Sequence, residues 1–565
     1  LTERRDSADG SNGLVLVENF TWFGDGDFLA APNKPVTDGK YTVNLESTRG
    51  QPQLRLTVDS ANGRGLALLP SYPFNAAGPH LDGTWKKLPL VDVGWSVEPE
   101  ELAKVRGKLV LMSFTWGHGG TECVLSGDDV AKLKAAGAIG VLQESGSCEL
   151  YPGRLETDAL PVAGVDSTEG AKLRALLAKG RVTVTLVGVP DSPVVRHVSE
   201  TLDNYPQSLA LRVHDRDMAR IRTSYTPEWQ LGVYGGKEDV GQRRAADAAH
   251  TLFTWPNYLN KYPQTREELF GPITPGAQWI RSAGVDANLI SVEERRTILR
   301  PGRMPDERWL GAPRSIGPSD VPPSATNLTH MGFCSACRDG DRLVVVPQYA
   351  NPDPLVVPSF GVIGAQAKLY AGDREIPGTT YHGAFPAFTL PAAEGRYKLI
   401  LDTDLTSAAM AGYDLYKYSA KVHSEWTFGS QHVGTPDTGN TTCYQAWAEP
   451  AAKLACAPQQ LLYLRYSAPT DSTNKVGHGV VPLQLKPYYE RTAKPQTATF
   501  KSVKVSASYD GGKSWRPVAG VSFGSAYQGL LLPPRGTKTV SLRVDAVDQN
   551  GNTVSQTIVD AFGVR

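Results

Sequence analysis

The sequence has no apolar run approaching the roughly 20 residues that span a bilayer, and its first residues, LTERRDSADGSNG, lack the apolar core of a signal peptide. No membrane span is expected, and the start of the chain reads as an internal cut. Charge of either sign in excess is missing too: 58 Lys and Arg balance 58 Asp and Glu. Nothing therefore draws the chain to nucleic acid or to an anionic surface. Helix signal is scarce, and neither a repeat of fixed period nor a low-complexity tract is present, which argues against a propeller or a solenoid. No Gly-x-Gly-x-x-Gly string follows a strand, so a dinucleotide fold is not expected, and no cofactor is.

Cysteine is sparse but even in number. Cys123, Cys148, Cys334, Cys337, Cys443 and Cys456 fall, in sequence order, into three local pairs, which suits disulfides and an oxidising, extracellular compartment. Cys334-Ser335-Ala336-Cys337 has the spacing of half a zinc site, but zinc needs a second ligand pair and none stands at comparable spacing. The same pair leads into a strand, whereas a thioredoxin-like redox pair opens a helix.

What is present is β-sheet patterning. At 565 residues the chain suggests three to five domains at roughly 150 residues each. Residues 1–88 read as a β-rich region, with segments such as KYTVNLES and PQLRLTVDS broken by Gly and Pro. Residues 89–188 alternate strands and helices. The first helix, GDDVAKLKAAGAIG, sets Val130, Leu133 and Ala136 at helical spacing with Asp128 and Asp129 at its positive end. Ser167 opens a second helix, with Glu169 in its first turn and Leu173, Leu176 and Leu177 on one face. Residues 189–325 read as a further β-rich region with a possible helix around Gly241 to Leu252, 326–435 as a β-sandwich, and 436–565 as a C-terminal β-sandwich. The expected class is mainly β, with several β-sandwich modules and one α/β domain.

The α/β segment resembles the protease-associated domain. The residues that carry the likeness are Gly107-Lys108 before the strand LVLMSF, Cys123 in the loop, Ala135-Ala136-Gly137-Ala138 before IGVLQ, and Leu160-Pro161-Val162-Ala163-Gly164-Val165 before the second helix. The small residues have a physical use, since a helix approaches a sheet closely only where side chains are small. From about Pro190 onward, strings such as TREELFGPITPGAQWIRSAG, RDGDRLVVVPQYANPDP and TVSLRVDAVDQNGNTVSQTIVDAFGVR resemble the region after the catalytic domain in large secreted subtilisin-like serine peptidases of actinobacteria.

A catalytic site is harder to find. Peptidases of that kind carry Asp, His and Ser in order, the Ser within Gly-Thr-Ser-Met-Ala, and that string is absent. Asp437-Thr438-Gly439 precedes His478-Gly479 in the right order, but the Asp lies in a polar loop, and Pro482 and Pro487 forbid the helix that should follow the His. Gly520-Val521-Ser522-Phe523-Gly524 matches a nucleophile elbow in letters only: no strand-to-helix turn is suggested, and no His follows Ser522. Ser508-Tyr509-Asp510-Gly511-Gly512-Lys513-Ser514-Trp515 resembles the Asp-box, a hairpin held by its carboxylate. His214, Asp215 and Asp217 are weak metal candidates on mixed strand faces, and Trp426 and Trp447 read as core rather than as a sugar platform. No catalytic, cofactor or metal residue is assigned.

The resemblance implies a non-catalytic, C-terminal accessory portion of a secreted subtilisin-like peptidase. Its protease-associated domain would restrict substrate access or hold a protein partner. The expected partners are protein or peptide substrates, or the catalytic domain of the same precursor. The alternatives are a stand-alone extracellular protein- or glycan-binding protein, and a hydrolase with an unrecognised metal site.

Overall fold

The computed structural model describes residues 12–15, 20–21, 43–49, 53–68, 81–94, 97–113, 124–125, 127–144, 154–155, 160–165, 167–189, 193–202, 211–226, 236–243, 257–259, 264–271, 273, 278–285, 293–318, 333–350, 352–357, 365–383, 385–406, 416–437, 443–452 and 454–565. The chain is mainly β, with strands gathered in several separate sheets and few helices. Among the described residues no helix is long and apolar enough to cross a membrane.

One seven-stranded mixed sheet contains the α/β unit. Its strands are β1 (Gln53–Val58), β2 (Ala67–Leu68), β3 (Gly83–Asp92), β4 (Leu109–Ser113), β5 (Gly140–Glu144), β6 (Val162–Val165) and β7 (Val182–Val189). Their order is β6-β5-β4-β3-β7-β1-β2. The first four run parallel, and β7, β1 and β2 continue antiparallel. Strands from both sides of residue 88 thus share one sheet.

Helix α1 (Gly127–Ala135) and helix α2 (Ser167–Leu177) cover opposite faces. The alternation of β4 explains how. Val110 and Met112 pack with Val130 and Leu133 of α1, while Leu109 and Leu111 pack with Leu173 of α2. A parallel sheet covered on both sides needs strands apolar throughout, and β4 is buried from Leu109 to Met112. Gly137 ends α1 with φ of 91°, while the amide of Ala138 reaches the carbonyl of Leu133 at 3.0 Å, a helix stop that a β-carbon would strain.

The middle of the chain builds two further sheets. One takes Val43–Arg49, Val194–Leu202, Gln264–Gly271 and Ala219–Tyr225 among its strands; the other takes Gly236–Arg243, Gln278–Val285 and Glu293–Ile298. The helix allowed by sequence from Gly241 is corrected at its start, where Gly236–Arg243 is a strand paired with Gln278–Val285; the remainder of that segment lies outside the described residues. Partner pairing across the sheet overrode a weak local helix signal.

The C-terminal half is antiparallel. A nine-stranded sheet runs through Gly395–Asp404, Lys421–Ser430, Thr553–Val564 and Thr539–Asp548. Lys421–Ser430 pairs directly with Thr553–Val564, so strands from both sides of residue 435 meet in one sheet. A four-stranded sheet packs on it, and one core joins Leu399, Trp426, Phe428, Leu464, Leu485, Leu542 and Phe562. A five-stranded sheet beside them holds Arg342–Val345, Ala336–Asp339 and Cys456–Pro458.

Candidate binding site at the carboxyl edge of the parallel strands

Four parallel strands end together, and ligands of open α/β sheets bind outside such carboxyl ends. Here β3 ends in Asp92, β4 in Ser113 and β5 in Glu144. The register places Ser113 beside Glu144. Arg174 reaches over this edge from the second turn of α2 and ties the three together. Its Nε donates to Asp92 Oδ2 at 3.0 Å, and its two terminal nitrogens donate to Glu144 and to Ser113 Oγ. Ser113 Oγ in turn donates to Glu144 Oε2 at 3.0 Å. The other oxygen of Asp92 accepts the Gly94 amide at 3.0 Å, and the Ser113 amide donates to the Gly94 carbonyl at 2.6 Å.

Glycine makes this convergence possible. A β-carbon at Gly170 would lie 2.5 Å from the Glu144 carboxyl carbon. Gly170 and Arg174 are one turn apart on α2, so the first lets the Glu144 side chain pass beneath the helix and the second receives it. Two carboxylates meet one guanidinium, and the cluster carries one net negative charge. It is open to solvent on one side, with Arg174 30% exposed and Asp92 28%. On the opposite face the neighbouring Gln143 is 2% exposed, and its Nε2 has no hydrogen-bond partner among the described residues. The edge thus carries an acidic, partly exposed cluster on one face and a buried amide donor on the other.

The residues singled out in the sequence are dispersed. Ser522 ends an exposed strand, Ala519–Ser522. Asp437 accepts the Ala493 amide at 2.7 Å, and His478 is exposed in a turn, so neither has the setting of a catalytic dyad. Asp215 is held by Arg196 through two contacts of 2.9 and 2.8 Å, and Asp217 is exposed. Trp426 is buried and donates to the Leu462 carbonyl at 2.9 Å, as a core residue does; the Trp447 side chain lies outside the described residues. The Asp-box-like hairpin forms: Asp510 Oδ1 accepts from Ser508 Oγ, and from the amides of Lys513 and Ser514 at 3.1 and 2.9 Å. These bonds, led by those from Ser514, hold the Asp510 carboxyl far below its usual range. Cys123 and Cys148 lie outside the described residues.

The structure joins Cys334 to Cys337 and Cys443 to Cys456. It also brings the two pairs into one buried cluster. Spacing along the chain could not reveal this, because Cys337 and Cys443 are 106 residues apart. Arg174 and Gly170 were missed as well, although a glycine one turn before an arginine in an amphipathic helix was a visible signal.

No family model matches the chain, and no curated protein does. Over a small part of its length it is similar to the psychrophilic subtilisin-like protease Apa1 from the Antarctic psychrotroph Pseudoalteromonas sp. AS-11. The identity is 17%, the match covers 28% of this chain and 37% of that one, and the TM-score is 0.19. A second local similarity is to BSAP, a zinc aminopeptidase from Bacillus subtilis, at 16% identity, covering 33% of this chain and 40% of that one with a TM-score of 0.17. The chain spans well under half the length of either.

Proposed function

We propose that this chain is the non-catalytic, C-terminal accessory portion of a secreted subtilisin-like serine peptidase. In this reading its α/β unit holds a polypeptide, either a substrate or a protein partner, at the carboxyl edge of β3, β4 and β5. One observation supports the binding role: Asp92, Ser113, Glu144 and Arg174 converge there on a half-open edge of the α/β unit, whose sequence resembles the protease-associated domain. The peptidase context rests on the sequence resemblance. The test is labelling with a fluorophosphonate probe, applied to this chain alone and to the full-length gene product. Labelling of the larger product alone supports the accessory reading. Labelling of this chain overturns it, and Ser522 is then the first serine to replace.

A second reading, a stand-alone extracellular binding protein, is favoured by a different surface. A shallow groove of about 620 Å³ is lined by Pro482, Val521 and Leu530, and Phe523 and Leu532 stand exposed nearby in the chain. A gene that encodes no peptidase domain alongside this chain would select it.

A further inference from the structure

Cys334, Cys337, Cys443 and Cys456 are each 1% exposed and pack against one another. Two disulfides account for all four sulfurs, yet the bridges are not independent. The Sγ atoms of Cys337 and Cys443, which belong to different bridges, are 3.1 Å apart, closer than an ordinary sulfur–sulfur contact. The Cys337 backbone is fixed from two sides: Ala336–Asp339 pairs with Cys456–Pro458, and Gln445, two residues after Cys443, donates to the Cys337 carbonyl at 3.0 Å. The strands that carry Cys337 and Cys456, and the short helix beginning after Cys443, therefore hold the sulfurs together without either bridge.

A buried carboxyl stands beside them. Glu490 is 6% exposed, its Oε2 lies 3.6 Å from Cys334 Sγ, and both its oxygens accept the Ser335 amide at 3.0 Å. Among the described residues its hydrogen-bond partners include no cation. Burial outweighs the Ser335 and Ala336 amides and pushes its carboxyl up to about 8. At 3.6 Å it is placed to give a proton to a departing Cys334 thiolate. Tyr463 also feels the Glu490 charge, and burial raises its hydroxyl well above the usual range.

We propose that these four cysteines form a buried thiol–disulfide exchange site, in which Cys337 and Cys443 make a bridge alternative to the two present and a small dithiol is the reductant. A dithiol thiolate attacks Cys334 Sγ, the Cys334–Cys337 bond breaks, and Cys337 leaves as a thiolate. The second dithiol thiol closes the reductant's ring and releases Cys334, whose proton is shared with Glu490. Cys337 then attacks Cys443 Sγ, the Cys443–Cys456 bond breaks, and Cys456 leaves and takes the reductant's remaining proton. The net change is one dithiol oxidised to a cyclic disulfide and two protein thiols, Cys334 and Cys456, left beside a Cys337–Cys443 bridge. Burial of all four sulfurs excludes a protein oxidoreductase as the direct reductant and leaves small thiols that enter on local opening.

The test needs no reductant, because single variants supply the attacking thiol. In Cys334→Ser, Cys337 is free and attacks Cys443; in Cys456→Ser, Cys443 is free and attacks Cys337. Both variants of the full chain, acid-quenched, alkylated and mapped without reduction, should yield the same Cys337–Cys443 peptide, with alkylated Cys456 in the first and alkylated Cys334 in the second. Retention of Cys443–Cys456 with alkylated Cys337 in the first, and of Cys334–Cys337 with alkylated Cys443 in the second, would overturn the proposal. The double variant Cys334→Ser/Cys456→Ser guards against loss of one single variant to misfolding: it should form the Cys337–Cys443 bridge and unfold cooperatively. Stoichiometric zinc with four alkylatable thiols in the unmodified chain would also overturn it, as it would mean a tetrathiolate centre in place of the bridges. In Cys456→Ser, adding Glu490→Gln should slow formation of the new bridge by about tenfold or more.

Discussion

Two buried carboxylates in this molecule have been sent in opposite directions. Glu268, between the two middle sheets, is 1% exposed, and Glu490, beside the cysteines, is 6% exposed. Burial raises both, and for Glu268 it is the largest single influence. Glu268, however, also meets Arg266, whose Nε donates at 2.7 Å, with Thr223 at 2.6 Å, Tyr225 at 2.8 Å and His197 at 3.6 Å. Together these carry its carboxyl well below the ordinary value of 4.5. Glu490, among the described residues, is met by the backbone amides of Ser335 and Ala336, and it rises to about 8. Burial decides how much a charge costs, and the nearest cation decides whether the group keeps it.

The largest expected effect comes from making the first site like the second. Arg266→Leu leaves Glu268 buried without its main partner and should cost about 3–5 kcal/mol, measured by urea unfolding at pH 7. Its pH dependence should reverse as well. In the native chain the Glu268 contribution is present above 4.5 and lost as pH falls through its lowered folded value; in the variant the carboxyl rises, and the related contribution falls as pH increases. The double variant Arg266→Leu/Glu268→Leu should recover part of the loss, since removing both charges leaves none uncompensated.

The converse change is next in size. Glu490 keeps its proton in the folded chain up to about 8 and loses it near 4.5 when unfolded. Between those values the unfolded state binds fewer protons, so stability falls as pH rises, by up to about 1.4 kcal/mol per pH unit. Glu490→Gln should remove that slope, leaving the variant more stable than the native chain at pH 8 and nearly equal to it at pH 4.5. An unchanged difference between the two at pH 5 and pH 8 would show that Glu490 ionises normally in the fold.

Neither contrast was legible in the sequence, whereas the mainly β class was. Val110 and Met112, alternating with Leu109 and Leu111, announce a strand buried on both faces, and Val130 and Leu133 announce the helix that covers one of them. Such patterns are local. Sheet membership is not: β1 and β2 join the α/β sheet because β7, more than a hundred residues later, pairs with β1. The cysteine cluster needs Cys337 and Cys443 brought together across 106 residues, and Arg266 and Glu268 share a strand face by alternation, but the burial that makes them matter comes from a second sheet.

Arg174 tests the same rule at intermediate exposure. Its guanidinium is 30% exposed and Glu144 is 10% exposed, so solvent screens the pair partly. Arg174→Ala should cost only about 1 kcal/mol of stability, far less than Arg266→Leu, while weakening capture of polypeptide at the carboxyl edge. A loss as large as that at Arg266 would mean that the edge cluster is a structural ion pair and not an open site.

The smallest effect belongs to a site with pairing and little burial. His423 lies between Asp402 at 2.6 Å and Glu425 at 3.0 Å on the nine-stranded sheet, with side-chain exposures of 42%, 58% and 38%. Burial lowers its pKa, but the two carboxylates outweigh that and raise it above 6.5. A histidine whose folded value is raised adds stability that is full below the unfolded value and lost as pH rises through the folded one. Because all three groups are more than a third exposed, screening limits the gain to a few tenths of a kcal/mol. His423→Gln should therefore lower the melting temperature slightly at pH 5.5 and leave it unchanged at pH 9. The charges here are paired as those around Glu268 are, and water screens them, which accounts for most of the difference in expected effect, about tenfold.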